Sequence, residues 1–387
     1  MKAELKGWAW RTPLGASTGE VIERLLAGER AAQVNPRFDA ASYACTLAAA
    51  MTREPAQSRH ARFLRRMGLY AVEVAAEALA HAGVKGGDRV GLFFGYGGLR
   101  AHWNDLMPAF EHQHASGEDA WDRGLTLLHP FWMLQHLSNN AHAIAAQELH
   151  ARGEGATYGG ANAGAQALSA AIRALAAGAV DVALVVGYDS LIEPETLVEL
   201  AARGACSVQG LDRLAAPYDC AAQGFVPGEA AAALVLQRPG EGAANLGSVQ
   251  AQDGADGEKG EAQVALLARM LRSLAQAGDV VDGAGLARPG FDAAERIAAA
   301  NMTGADAPLC CIMSSMGQTG AATSVVQTIA LAELLRRQML PPIAGLRSAA
   351  AGPLRPLLHA EPTMRRAALG IAAGAPGLAG LIRVELP

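Results

Sequence analysis

The stretch Tyr158-Gly159-Gly160-Ala161-Asn162-Ala163-Gly164-Ala165-Gln166-Ala167-Leu168 passes from a β-rich segment into an alanine-rich helix. A strand-to-helix turn of this kind commonly exposes a nucleophile at the helix start, where backbone N–H groups and the helix dipole favour developing negative charge. Neither Ala161 nor Asn162 carries a nucleophilic group. The stretch has the setting of a catalytic turn without the atom that would use it.

Outward from this turn the chain alternates strands and helices. Downstream, a helix over Ala163 to Ala177 leads to a strand, Val180 to Gly187, then a helix near Glu193 to Ala202 and a strand, Ala230 to Leu236. Upstream, Phe63, Met67, Tyr70, Val74 and Ala78 recur at helical spacing and predict a helix over Arg62 to Ala82, closed by Gly83. The apolar run Arg89 to Phe94 predicts a buried strand running into Gly95-Tyr96-Gly97-Gly98. That glycine cluster lacks the spacing of a dinucleotide or Walker phosphate loop and reads as a tight turn. Residues 100 to 136 hold most of the aromatics and histidines with no single period, as an insertion or lid would, and Leu137 to His150 reads as a helix.

The second part of the chain repeats the rhythm. A surface excursion is expected around Ala251 to Lys259, then helices at Gly260 to Ala277 and Ala293 to Ala300, a strand-turn-helix through Leu309 to Arg337, and a strand over Leu381 to Leu386. The helix from Gly320 opens on Gly-Ala-Ala much as the first half's opens on Ala-Gly-Ala, so two small-residue helix ends can approach closely at the centre of a duplicated fold. The class is α/β and layered, with halves at 1–240 and 241–387.

Composition narrows the function. With 51% hydrophobic residues in 387, the chain can bury a large core. A net charge of -5 argues against a polyanion as main partner, so no nucleic acid is expected. Five cysteines without metal-ligand spacing make neither a metal site nor a disulfide framework, and fit a reducing cytoplasm. Lys2, Glu4 and Lys6 stand where a signal peptide would be apolar. The most apolar run, Ala174 to Gly187, contains Asp181 and falls short of the roughly 20 residues a membrane span needs, so no membrane insertion is expected.

Four segments resemble the β-ketoacyl synthases of the thiolase fold. They are Thr12-Pro13-Leu14-Gly15 with Leu25-Leu26-Ala27-Gly28 and Arg37-Phe38-Asp39; Pro217-Tyr218-Asp219 with Gly224-Phe225-Val226-Pro227-Gly228-Glu229-Ala230-Ala231-Ala232, similar to "PFD…GFVxGEGAA"; Ser314 to Ala322, similar to "KSxxGHxxGAAG"; and Ala368 to Val384, similar to the terminal "NSFGFGGxN" loop and strand. The resemblance implies a thiolase-like fold with a duplicated αβαβα five-layer architecture and two central mixed sheets. In that family a cysteine takes the acyl group, and two histidines donate to the malonyl thioester carbonyl as carbon dioxide leaves.

The departures from the family fall on the chemistry. The nucleophile position is Ala161 or Asn162, depending on the side from which the turn is aligned; Asn301 falls on the histidine of "HGTG", Gln318 on the second histidine, and Met313 on the lysine before it. Ala373 and Ala375 occupy the places of the acyl-gating phenylalanines. No histidine lies between His150 and His359, and the last lysine is Lys259, so no small slip in alignment restores the machinery.

The resemblance therefore implies no catalytic residues, no metal and no cofactor. It points to a chain-length-factor-like subunit of type II polyketide, aryl polyene or fatty-acid-like elongation, pairing as a heterodimer with a catalytic ketosynthase and visited by an acyl carrier protein. The strand near Gly155 to Gly160 would pair across the interface. Phe131, Trp132, Met133 and Leu137 would line the tunnel. Arg62, Arg65 and Arg66, spaced as one helical face, would dock the carrier protein, with Glu54 too isolated to neutralise them. The alternatives are a malonyl-carrier-protein decarboxylase using the vestigial pocket and a homodimeric acyl-binding protein.

Overall fold

The computed structural model describes residues 1–98, 102–241, 245–255, 263–374 and 378–387. Val182–Ser190 is buried along its whole length and Glu229–Gln237 along nearly all of it, because both are near-continuous apolar runs covered on two faces. They are the middle of an eleven-stranded sheet. Its ten main strands are β1 (Ala3–Arg11), β2 (Val90–Tyr96), β3 (Ala156–Gly159), β4 (Val182–Ser190), β5 (Glu229–Gln237), β6 (Ser248–Ala255), β7 (Val280–Asp282), β8 (Pro308–Cys310), β9 (Ala367–Ala372) and β10 (Leu378–Glu385).

From one edge the order is β3-β2-β4-β5-β1, followed by β6-β10-β9-β7-β8, with the short strand Arg355–Pro356 at the far edge. Counted along its own half, each set of five runs third-second-fourth-fifth-first from its outer edge. Directions match too: the third, second and fourth strands are parallel, and the fourth, fifth and first antiparallel. The two repeats are joined antiparallel through Ala3 with Val249 and Glu4 with Ser248. The two mixed sheets implied by the family are thus hydrogen-bonded edge to edge into one.

Helices complete five layers. α1 (Arg66–His81) and α2 (Asn140–Glu148) pack together on the outer face of the first repeat. α3 (Ala163–Ala176) and α6 (Thr323–Arg336) form the middle layer and touch strands of both repeats, while α4 (Gln263–Leu274) and α5 (Pro289–Thr303) pair on the far side. The close approach of the central helices depends on absent side chains. A Cβ on Gly164 would lie 2.3 Å from the carbonyl oxygen of Ala321, and one on Gly187 2.9 Å from Val325.

Several element boundaries differ from the sequence expectation. The helix expected from Arg62 begins at Arg66; Arg59–Arg62 is a separate 3-10 turn capped by the Ser58 side chain, and Arg65 is the extended N-cap of α1. The excursion expected around Ala251 is instead strand β6 as far as Ala255, because β10 pairs along it; Asp256 to Lys259, and the expected helix start at Gly260, lie outside the described residues. The segment from 102 to 136 contains the helix Trp103–Ser116 with Pro108 inside it, a 3-10 turn at Gly124–Leu127, and a short helix, Trp132–His136. Among the described residues no helix is long and apolar enough to cross a membrane.

Candidate functional site

The turn between β3 and α3 is held by backbone bonds. Gly160, at φ +116°, donates its N–H to the Tyr96 carbonyl at 3.0 Å and accepts from the Ala163 N–H at 3.1 Å. Asn162 is buried and its side-chain amide donates to the Gly254 carbonyl at 3.3 Å. Ala161 is the half-buried residue facing the loop after β9, where a side chain on Gly374 would approach its methyl to 3.8 Å. Of the two nucleophile alignments, Ala161 thus occupies the exposed face of the turn. Ala373 is buried nearby in the chain, and Ala375 lies outside the described residues.

Gln318 is buried opposite. Its N–H donates to the Val226 carbonyl and its own carbonyl accepts from Gly228, both at 2.8 Å, while its side-chain amide donates to the carbonyl of Ala284. Asn301 is nowhere near this group: it is exposed in the last turn of α5. Two residues that share one substrate carbonyl must lie side by side, so the assignment of Asn301 to the first histidine is corrected. The loop that meets Gln318 is Gly283-Ala284-Gly285-Leu286-Ala287, directly after β7, and Ala284 is the residue whose carbonyl receives the Gln318 amide. Against "HGTG" this loop keeps only Gly285, whose φ is +68° and where a Cβ would lie 2.6 Å from the Cys311 sulfur. Met313 is buried, with the Thr319 hydroxyl 3.6 Å from its sulfur.

Around this loop, burial raises the pKa of the carboxyl groups. Glu295 accepts from the Tyr218 hydroxyl at 2.7 Å and the Ala284 N–H at 2.8 Å, and burial pushes its carboxyl up to about 8. Asp282 accepts from the Ile312 N–H at 2.8 Å and the Gln327 amide at 2.9 Å, with burial raising it to about 7. Burial likewise pushes the Cys310 and Cys311 thiols well above their ordinary value, which removes them as nucleophiles. Ala161, Ala284 and Gln318 supply neither a nucleophile nor a titrating base.

A cavity of about 310 Å³ opens in the other half, between the N-terminus of α1, the ends of β2 and β4, and residues 135–141. Its wall is built on ion pairs. The fully buried Glu229 carboxylate accepts from Arg66, from Arg37 at 3.0 Å and from the Ser190 hydroxyl at 3.2 Å. Burial would raise Glu229, but Arg66 and Arg37 outweigh it and hold the carboxyl below its ordinary value. Arg65 pairs with Asp105, and His102 lies 3.1 Å from Glu195. The His136 Nδ1–H donates to the Trp132 carbonyl at 2.7 Å, and burial lowers the pKa of the ring.

These contacts rearrange the expected site residues. Arg65 and Arg66 face inward and are committed to Asp105 and Glu229, so the expected basic face does not form; the helical spacing assumed for it is broken between the 3-10 turn and α1. Arg62 stays exposed, its guanidinium 4.5 Å from the Phe63 ring, and Glu54 pairs with Arg37. Of the four expected tunnel residues, Leu137 lines the cavity. Phe131 packs on Phe63 at 5.1 Å, Trp132 on His136 at 4.8 Å, and Met133 is 67% exposed. Glu229, Glu193, Tyr96 and Tyr188 went unread; a glutamate opening the apolar strand β5 was a signal that a cation must sit beside it.

The model of the β-ketoacyl synthase N-terminal domain matches residues 5–241. The chain belongs to the β-ketoacyl synthase family. Solved structures of the same thiolase-like ketosynthase fold superpose over all of it. A β-ketoacyl synthase from Burkholderia phymatum STM815 is 21% identical with a TM-score of 0.86 and 99% of its chain covered. The ishigamide ketosynthase/chain length factor is 20% identical, also at 0.86 and 99%. The oxazolomycin ketosynthase domain from Streptomyces albus JA3453 is 18% identical at 0.82, with 75% of its chain covered. No curated protein matches the chain. Among the described residues there is no group of three or more His, Cys, Asp or Glu able to hold a metal ion.

Proposed function

We propose that this ketosynthase-family chain is a non-condensing subunit of the chain-length-factor type, which pairs with an active β-ketoacyl synthase and shapes its acyl tunnel in polyketide, polyene or fatty-acid-like elongation. The observation that carries it is the coordinated vacancy at Ala161, Ala284 and Gln318 on an otherwise intact fold. The likeness to a structure titled as a ketosynthase/chain length factor supports the same reading. The division at 240/241 follows the point where the strand order starts again.

In this reading β3, the edge strand of the sheet, offers its unpaired side to the partner, and the acyl carrier protein meets Arg62 rather than Arg65 or Arg66. A malonyl decarboxylase is disfavoured because Ala284 carries no side-chain donor and one of the two N–H groups of the Gln318 amide is already held by the Ala284 carbonyl.

Co-expression with ketosynthases encoded nearby, size-exclusion and product mass test the proposal. A stable heterodimer is expected, in which Leu137→Phe shortens the product and Phe131→Ala leaves it unchanged. Carbon dioxide released from malonyl-loaded carrier protein by the chain alone would overturn it.

A further inference from the structure

We infer that Cys45 and Cys206 form a redox-modification site, in which a hydroperoxide oxidises Cys206 and Cys45 then closes a disulfide with it. Backbone pairing brings the two together from distant parts of the chain. Cys206 pairs in parallel with Phe225, and Ala49 with Gly228, so both cysteine-bearing segments are pinned on the short stretch from Phe225 to Gly228. Bonds around these pairs hold them: the Ser207 N–H donates to the Phe225 carbonyl at 2.8 Å, the Phe225 N–H to the Ala205 carbonyl at 3.1 Å, and the Ala49 N–H to the Pro227 carbonyl at 2.8 Å. Both thiols are free and, with Leu197, make one small buried cluster flanked by Phe38, Tyr43 and Leu200. Within it the two thiols are hydrogen-bonding neighbours.

The sulfurs are not equivalent. Cys45 is fully buried, whereas Cys206 keeps 3% of its surface and lines a cavity of about 460 Å³ with Val208, Gln223 and Phe291, which gives a small oxidant its way in. When Cys206 ionises, the Cys45 S–H is the donor that stabilises its thiolate; the pair therefore holds Cys206 below its ordinary value and pushes Cys45 up. The nucleophilic form thus resides on the sulfur beside the cavity. That thiolate attacks one peroxide oxygen, the O–O bond breaks, hydroxide leaves and takes up the proton Cys206 had released, and Cys206 becomes a sulfenic acid. The Cys45 sulfur then attacks the Cys206 sulfur, and its own proton departs with the sulfenic hydroxyl as water. Two thiols lose two electrons and the peroxide gains them. In a reducing compartment such a bond is transient, and its effect is to clamp together the two segments that flank the approach to β5.

Non-reducing peptide mapping of the full folded chain, before and after hydrogen peroxide and with free thiols alkylated on quenching, tests this. A linked Cys45–Cys206 peptide is expected, reversed by dithiothreitol, together with a rise in melting temperature of about 5 °C from closing a loop of about 160 residues. Cys45→Ala should leave a dimedone adduct on Cys206, and Cys206→Ala should leave Cys45 unmodified, while the exposed Cys220 reacts in every sample as a control. A linked peptide that is absent when Cys220 is fully oxidised, or that forms only in urea, overturns the inference, as does dimedone on Cys45 in the Cys206→Ala chain. The unsubstituted chain alone decides the first two outcomes, so poor folding of either variant does not rescue the pair.

Discussion

The two repeats of the sheet share strand order and direction, and differ in what joins their second and third strands. In the N-terminal repeat that connection is residues 97–155. Trp103, Met107, Phe110, Trp121 and Met133 are exposed along it, and a cavity opens at its base. In the C-terminal repeat it is residues 283–307, which close down on Gln318 and on the neutral Glu295–Tyr218 pair. One repeat meets its charges with ion pairs at a water-reached wall; in the other, burial raises the carboxyls of Asp282 and Glu295. Ala284 and Gln318 lie in the closed half, while Ala161 and the cavity lie in the open one.

The comparison can be broken by removing what each half relies on. Glu229→Ala should have the largest effect, destabilising by about 3 kcal/mol or more because it leaves Arg66 and Arg37 without their buried anion; chemical denaturation reads this directly. Gly164→Val tests the layer between the halves. Its Cβ would be driven into the Ala321 carbonyl, for an expected loss of about 2 kcal/mol on the same assay.

A smaller effect separates the halves by pH. Glu295 rises from an ordinary 4.5 to about 8 in the folded chain, so the folded state holds a proton that the unfolded state has released across that interval. Its contribution is complete below about 4.5 and is lost as pH rises through about 8. Melting temperature should therefore fall between these values, and Glu295→Gln should flatten the fall. Glu229 has the opposite sign, being held low: its contribution is present above its ordinary 4.5 and is lost as pH falls, so Glu229→Gln should lower stability at neutral pH and flatten the acid limb. The smallest change is expected from Asn301→Ala: it is exposed, and stability should move by less than about 0.5 kcal/mol. A large loss there would reinstate it as a buried functional position.

How much of this was legible in the sequence depended on whether the signal was local. The strands flanking the opening turn, the small-residue helix ends and the missing nucleophile were readable because each is set by side chains within one element. The first histidine position was not. Its letters are gone, and only the end of β7 and contact with Gln318 locate it at Ala284, whereas matching Thr303 and Gly304 to a motif placed it on an exposed helix. The arginines failed for another reason: Glu229, the partner of Arg66, is distant along the chain, and spacing on a helix says nothing about what closes across a fold. Phe131, Trp132, Met133 and Leu137 were expected at the tunnel from the place of their segment beside the interface strand and from their bulk; within the chain Leu137 lines the cavity, while Phe131 and Met133 are exposed.

The position of β10 has a consequence for synthesis. The N-terminal repeat can pair all five of its strands once residue 237 has been made, but β6, made next, waits for Leu378–Glu385 before its main pairing partner exists. Until then the buried face of α3 that belongs against α6 and the second repeat is uncovered. A nascent chain of this protein thus carries an apolar surface through more than a hundred residues of elongation, and its yield in a cell depends on what shields that surface in the meantime.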